Sequence, residues 1–293
     1  MDSYSNTVIR EISEKGEWEI EPEELSIGRV IGEGAFGVVR IARWRGTDVA
    51  LKVINDKAID MKEFDREIII ISKLHHPNIL QFLGSCTQHV PYILVIEYMI
   101  NGSLDYQLRV QGLNYDMKID ILKDISKGLA YLHNRKPQCI IHRDLKPSNV
   151  LLTTSFKAKI ADFGISCLQN RSTEYYTMTG ETGTYRYMAP EVMKHDDYNC
   201  KVDIWSFGMI SYHMFVNIPF AHMNVEDICM YMAKNYVPLQ TCRAKKDIKL
   251  LLDNTIIFDS KKRWDSLYLV NYCNNDLMYE KKRKKIYECL CMA

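Results

Sequence analysis

The hydrophobic pattern of this 293-residue chain changes period at Asn101-Gly102, and that change limits what it can fold into. Before it, Leu25 and Ile27, then Val38-Val39 and Ile41, then Val49, Leu51 and Val53 follow the two-residue repeat of strands. WRGTD, residues 44 to 48, supplies a turn. Residues 60 to 74, DMKEFDREIIIISKL, differ. Phe64, Ile68, Ile71 and Leu74 fall on one helical face, and Pro77 is expected to stop that helix. Residues 79 to 100 return to strand, with Tyr92 to Ile96 a nearly continuous apolar run. After Asn101-Gly102 the period is helical: Ile119, Leu122, Ile125, Leu129 and Leu132 make a stripe. A β-rich part, a connector near residues 97 to 103 and a mainly helical part follow.

Bulk properties exclude several classes. The chain is 47% hydrophobic and 26% charged with net charge +1, ordinary for a globular protein. No global field argues for nucleic acid as a partner. Residues 1 to 17 read as a polar extension without a signal-type apolar core, and no Gly follows Met1 to take a myristoyl group. Ile204 to Ala221 lacks Lys, Arg, Asp and Glu but holds Ser206, Ser211, His213, Asn217 and Pro219. It reads as a buried helix of a large core, and no membrane partner is expected. The 9 Cys lack CxxC spacing, so reduced thiols and a cytoplasmic location are expected.

Four short segments carry chemistry. Gly32-Glu33-Gly34-Ala35-Phe36-Gly37-Val38-Val39 fits GxGxxGxV, a pattern shared by phosphate lids, dinucleotide sites and plain hairpin turns. Here VVRIARW follows, rich in β-branched residues, so the loop joins two strands rather than feeding a helix. Lys52 sits on the apolar strand VALK, and Glu67 borders the apolar face of the helix after it; each would satisfy the other. The segment IIHRDLKPSNVLL, residues 140 to 152, places Asp144, Lys146 and Asn149 in one loop. There a carboxylate can meet a hydroxyl, an ammonium a phosphate and an amide a magnesium ion. Asp162-Phe163-Gly164 follows the short strand AKIA; the Asp can hold Mg²⁺, and the Gly permits an unusual turn.

GxGxxGxV, AxK, a helix Glu, HRDxxxxN, DFG, Ala189-Pro190-Glu191 and Asp203-Ile204-Trp205-Ser206-Phe207-Gly208 occur in that order over about residues 25 to 270. The chain resembles a protein kinase catalytic domain. WRG before VALK, HHPNILQFLGSC at 75 to 86 and GTYRYMAPEV at 183 to 192 are similar to the tyrosine-kinase-like group, near the Raf, mixed-lineage and related plant kinases. The resemblance implies a bilobal α+β fold, with a small antiparallel-sheet lobe bearing one main helix and a larger, mainly helical lobe. Its expected parts are a small lobe at 18 to 98, a hinge near 97 to 103, a large lobe at 104 to 280 and a basic tail at 281 to 293.

The resemblance also implies roles. Ile31, Gly32, Glu33, Gly34, Ala35, Phe36, Gly37, Val38 and Val39 would cover ATP. Val39, Ala50 and Leu151 would sandwich its adenine, Ile96 would guard the back of the pocket, and the backbone of Glu97 and Met99 would bind the adenine edge. Lys52 and Glu67 would position phosphates, Asn149 and Asp162 would hold Mg²⁺, and Asp144 and Lys146 would serve the transfer. Ile71, Phe82, His142 and Phe163 would stack as a spine. Asp203 would anchor the loop from the helix starting there, although a plain helix N-cap is compatible. Arg263 would pair with Glu191.

The implied function is transfer of the ATP γ-phosphoryl group to protein Ser or Thr hydroxyls, with autophosphorylation. The alternatives are dual specificity or a pseudokinase scaffold. Lys146 and Thr184 favour Ser/Thr acceptors, with the Thr184 hydroxyl bridging Asp144 and Lys146. Arg143 suggests control by a phosphate on the loop after DFG, at Thr179 first and Thr177 second. Three features depart from the family: Arg263-Trp264 in place of Arg-Pro, Val216 in place of a Gly before Pro219-Phe220, and no Trp upstream of Arg263. They bear on partner docking. Lys281 to Lys285 with Cys289 and Cys291 reads as a solvated helix end, or else as a membrane or nuclear-import patch. Substrate and oligomeric state have no signal in the sequence.

Overall fold

The computed structural model describes residues 18–34, 37–54, 68–88, 90–137, 139–162, 167–168, 182–275 and 277. The chain divides into two compact units, Met1–Ile100 and Asn101–Ala293.

The first unit is an antiparallel sheet. Its strands are β1 (Leu25–Gly34), β2 (Gly37–Trp44), β3 (Thr47–Ile54), β4 (Phe82–Cys86) and β5 (Tyr92–Glu97), in the order β1-β2-β3-β5-β4. Between β2 and β3, Arg45 and Gly46 both have positive φ, at 47° and 84°. Two left-handed residues are what a two-residue hairpin needs to match the strand twist. Val49, Leu51 and Val95 are fully buried with Ile20, Leu25, Ala42, Cys86 and Ile93. Of the alternating set, Leu25, Val49 and Leu51 form this core face with Val53 packed against it, whereas Ile27 is exposed. Residues 18 to 20 cover the β4 edge: Ile20 N donates to Ser85 O and Ser85 N to Trp18 O, both at 2.8 Å. The Glu19 carboxylate accepts from the Thr87 N–H at 2.6 Å and its hydroxyl at 2.7 Å. A Cβ at Gly84 would stand 2.7 Å from Trp18 O, so this close approach needs glycine.

Of the helix expected over residues 60 to 74, residues 60 to 67 lie outside the described residues. Residues 68 to 72 are helical, with Ile68, Ile71 and Leu74 buried. The helix ends at Ser72, before Pro77 can act. Lys73 and Leu74 instead close 3₁₀-type bonds to Ile70 and Ile71.

The second unit is mainly helical. Ser103 caps α1 (Leu104–Arg109) and Asn114 caps α2 (Tyr115–His133), each accepting a backbone N–H three residues on. The α2 stripe Ile119, Leu122, Ile125, Leu129 and Leu132 is fully buried, and Ile121 widens it. Two short antiparallel pairs follow: β6 (Ile140–Ile141) with β9 (Cys167–Leu168), and β7 (Val150–Leu152) with β8 (Ala158–Ile160). Then come α3 (Thr182–Tyr185), α4 (Pro190–Met193), α5 (Lys201–Phe215), α6 (Val225–Ala233), α7 (Lys246–Thr255) and helical residues 266 to 275.

The uncharged run from Ile204 to Ala221 is helical only to Phe215. Burial, not helicity, is what the missing charges signalled: Ile204, Trp205, Phe207, Met209 and Ile210 are fully buried in α5. Helix α7 packs close enough that a Cβ on Gly208 would stand 2.9 Å from Thr255 Cβ and 2.8 Å from Ile256 Cγ1. Val216 has φ −124°, a negative value that does not call for glycine. Among the described residues, no helix is long and apolar enough to cross a membrane.

Candidate active site

In the first unit the glycine-rich segment closes a hairpin. Gly32 pairs with Val39, Glu33 with Val38 and Gly34 with Gly37. The loop therefore joins two antiparallel strands, which removes the dinucleotide-binding alternative. Gly37 has φ +140°, and a Cβ there would run into Val53 O, so only glycine fits. Ile31, Gly32 and Glu33 lie on β1, and Val38 and Val39 on β2. Ala35 and Phe36 lie outside the described residues. Lys52 stands on β3, half-buried, opposite Val39 and Leu94. Its expected partner Glu67 is outside the described residues. Ala50 is buried and faces Ile96 across the β3–β5 ladder. Glu97 ends β5; its N–H donates to Gln81 O at 3.1 Å, and its carboxylate accepts from Gln81 N at 2.7 Å. Met99, Ile71 and Phe82 are buried.

In the second unit, loop 142 to 149 is organised by one carboxylate. Asp203 is fully buried in the first turn of α5, whose N-cap is Cys200, so it is not the helix cap. Its Oδ2 accepts from the His142 backbone N–H at 2.9 Å, and its Oδ1 accepts from the Arg143 N–H at 2.9 Å. His133, the last residue of α2, brings Nε2 within 2.8 Å of Oδ2. Burial opposes ionisation of Asp203. The His133 hydrogen bond and charge, with His142, outweigh it and hold the carboxyl below its ordinary value. His142 is fully buried, and its Nε2 lies 2.9 Å from Ala161 O, tying the loop to the end of β8.

With the loop anchored, its polar ends converge. Lys146 Nζ lies 2.9 Å from Asp144 Oδ2 and donates to Thr184 Oγ1 at 2.9 Å. The ammonium is thus the bridging atom, where the Thr184 hydroxyl was expected to be. Asn149 Nδ2 donates to Asp144 O at 2.7 Å and to Asp144 Oδ2 at 3.0 Å. Both cationic and amide donors hold Oδ2 of Asp144. The same bonds occupy the Asn149 amino group.

Arg143 and Asp162 have φ of 71° and 62°, a region costly for residues with a Cβ. Arg143 directly precedes Asp144, and Asp162 follows Ala161, whose N–H donates to Asn149 O at 2.9 Å. Leu151 lies on β7. Phe163, Thr177 and Thr179 lie outside the described residues. Below the cluster, Arg263 meets Glu191 through two bonds, of 2.5 and 2.8 Å. It also donates to the carbonyls of Ile257 and Lys201 and stacks on Trp205 at 5.1 Å. Trp264 donates its N–H to Asn254 O at 3.1 Å, a bond proline cannot make, and packs on Tyr268 and Tyr272 at 4.7 and 4.8 Å. That accounts for the Arg-Trp departure.

Sequence reasoning missed His133 and Arg186. Arg186 donates to the carbonyls of Pro219 and Phe220 and so ties the segment after Thr184 to the loop beyond α5. The run Leu129 to His133, a histidine closing a buried stripe, was the one available signal for His133.

A family model described as protein tyrosine and serine/threonine kinase matches residues 25–272. The serine/threonine-protein kinase VIK of Arabidopsis thaliana is 44% identical over 247 residues, covering 80% of this chain and 56% of the relative. The probable serine/threonine-protein kinase drkD of Dictyostelium discoideum is 35% identical over 226 residues, 75% of this chain and 17% of the relative. The Arabidopsis serine/threonine-protein kinase CTR1 is 38% identical over 198 residues, 65% and 24% respectively. The chain thus spans at most 56% of the length of these relatives. With strands, loop and cluster as described, the chain belongs to the protein tyrosine and serine/threonine kinase family.

Proposed function

We propose that the protein transfers the γ-phosphoryl group of ATP to serine and threonine hydroxyls of other proteins in the cytoplasm. The observation that carries this reading is the cluster of Asp144, Lys146, Asn149 and Thr184 on one anchored loop. The acceptor hydroxyl would meet Asp144 Oδ1 and attack the γ-phosphorus. The bond from that phosphorus to the β–γ bridging oxygen breaks, ADP leaves, and the proton passes to the Asp144 carboxylate. Lys146 would neutralise charge on the transferring group, and its bond to Thr184 supports a pocket suited to short hydroxyl side chains. Most of the rate gain on this reading is positioning and preorganised charge.

The donor set suits Mg²⁺: two hard oxygens, from Asn149 and Asp162, the first with its amide orientation fixed. When bound, the ion would neutralise phosphate charge. Lys52 and Glu67 would hold phosphates beneath the β1–β2 hairpin. Because the Glu97 N–H is committed to Gln81, any adenine contact of Glu97 must use its carbonyl. Arg143 would receive a regulatory phosphate from Thr179 or Thr177.

The test is phosphoamino-acid analysis after incubation with Mg·ATP and a mixed peptide library. Label on serine and threonine is expected; label mainly on tyrosine would overturn the acceptor assignment.

A further inference from the structure

Arg143 is gripped twice by one short stretch of chain. Its backbone N–H is held by Asp203 Oδ1 at 2.9 Å. Its guanidinium carbon lies 5.0 Å from the ring centroid of Tyr198, five residues before Asp203 in the approach to α5. That approach is itself fixed: Asn199 Oδ1 accepts from Lys201 N at 2.9 Å, and Val202 N donates to Asn199 O at 3.1 Å. Between the two grips Arg143 carries φ 71°, a backbone state that an arginine leaves unless its surroundings hold it. Asp144 is the next residue, so the φ and ψ of Arg143 set where its carboxylate points.

We propose that Tyr198 is a positioning residue for phosphotransfer. Its π face holds the Arg143 guanidinium and so keeps the strained turn that aims Asp144. This rests on the reading of Asp144 given above. A cation over an aromatic face is bound by the ring's quadrupole, so the restraint depends on ring electron density as well as on shape. Phenylalanine retains the face; leucine of similar bulk does not.

The test uses the full chain, Mg·ATP and a peptide acceptor, with phenylalanine and its mono-, di- and trifluoro analogues incorporated at position 198, plus Tyr198→Leu. Tyr198→Phe is expected within about threefold of wild-type kcat. The fluorinated series should fall stepwise to about a tenfold loss, at unchanged KM for ATP. In an Arg143→Met background the series should be flat. A structural readout runs alongside: amide hydrogen exchange of residues 140 to 146 should quicken about tenfold from phenylalanine to the trifluoro analogue. If kcat and exchange stay within twofold across the series, Tyr198 is only a packing residue and the proposal fails. If the series behaves alike with and without Arg143, it also fails. Asp144→Asn separates the two claims: full activity in that variant sinks the kinase mechanism, while the exchange series still judges the Tyr198–Arg143 grip.

Discussion

Replacing Asp203 with alanine removes an acceptor that serves the His142 N–H at 2.9 Å, the Arg143 N–H at 2.9 Å and His133 Nε2 at 2.8 Å. Asp203 and His142 are fully buried, so water does not take its place. A buried donor left unpaired costs about 1–3 kcal/mol. One fully buried and two partly buried donors, less relaxation and the burial penalty relieved by losing the carboxylate, give a loss of about 3–5 kcal/mol, similar to breaking a buried ion pair. That is a large share of a domain stability of about 5–15 kcal/mol. Asp203→Asn keeps one acceptor oxygen but points an amino group at a donor, so a loss of about 2–3 kcal/mol is expected. Urea unfolding followed by tryptophan fluorescence measures both, since Trp205 is buried beside Asp203 on α5. The pH dependence carries a sign. The folded pKa of Asp203 lies below its ordinary 3.8, so its contribution is complete above about pH 4 and fades as pH falls through the depressed value. Asp203→Asn should therefore lose less stability than wild type over that acid range. A loss below about 1 kcal/mol in Asp203→Ala, or equal acid limbs, would refute the anchoring account.

Two further outcomes follow from buried groups. Arg263→Met strands the Glu191 carboxylate and the carbonyls of Ile257 and Lys201, and is expected to cost about 3–5 kcal/mol in urea unfolding; a double-mutant cycle with Glu191→Gln should return a coupling of about 2 kcal/mol or more. Burial pushes the Cys200 thiol up to about 11 and the Cys273 thiol to about 12, so at neutral pH the thiolate of Cys200 is about 100-fold scarcer than at the ordinary value of 9.0. Among the six described thiols, exposed Cys242 should alkylate first in the native protein and Cys273 only on unfolding, as peptide mass mapping over time would record.

The elements were legible where one face is buried. Val49 and Leu51 on β3, and the α2 stripe, repeat at the period that their burial demands. Boundaries were less so. The run Ile204 to Ala221 looks uniform because charge is excluded from the whole region, yet Asn217 and Pro219 belong to a loop. Motif spacing brought Asp144, Lys146 and Asn149 into one loop, but not the fact that Lys146 and Asn149 share a single oxygen of Asp144. That depends on side-chain directions, on a loop backbone that is anchored by Asp203, a residue far along the chain. His133 and Tyr198 escaped notice for the same reason: each acts through a contact with a distant segment, and neither type is unusual where it stands. Trp264 read as a departure bearing on partner docking, and its backbone N–H donates to Asn254 O.

The most direct measurement is single-turnover transfer of labelled γ-phosphate from Mg·ATP to an acceptor peptide by wild-type protein, Asp144→Asn and Lys146→Ala. The wild type should transfer label to serine or threonine. Asp144→Asn should lose at least about 100-fold in rate, about 2.7 kcal/mol of transition-state stabilisation, with ATP binding retained. Lys146→Ala should fall between the two. Wild-type protein that binds Mg·ATP without transferring label, or an Asp144→Asn rate within about threefold of wild type, would contradict the assignment.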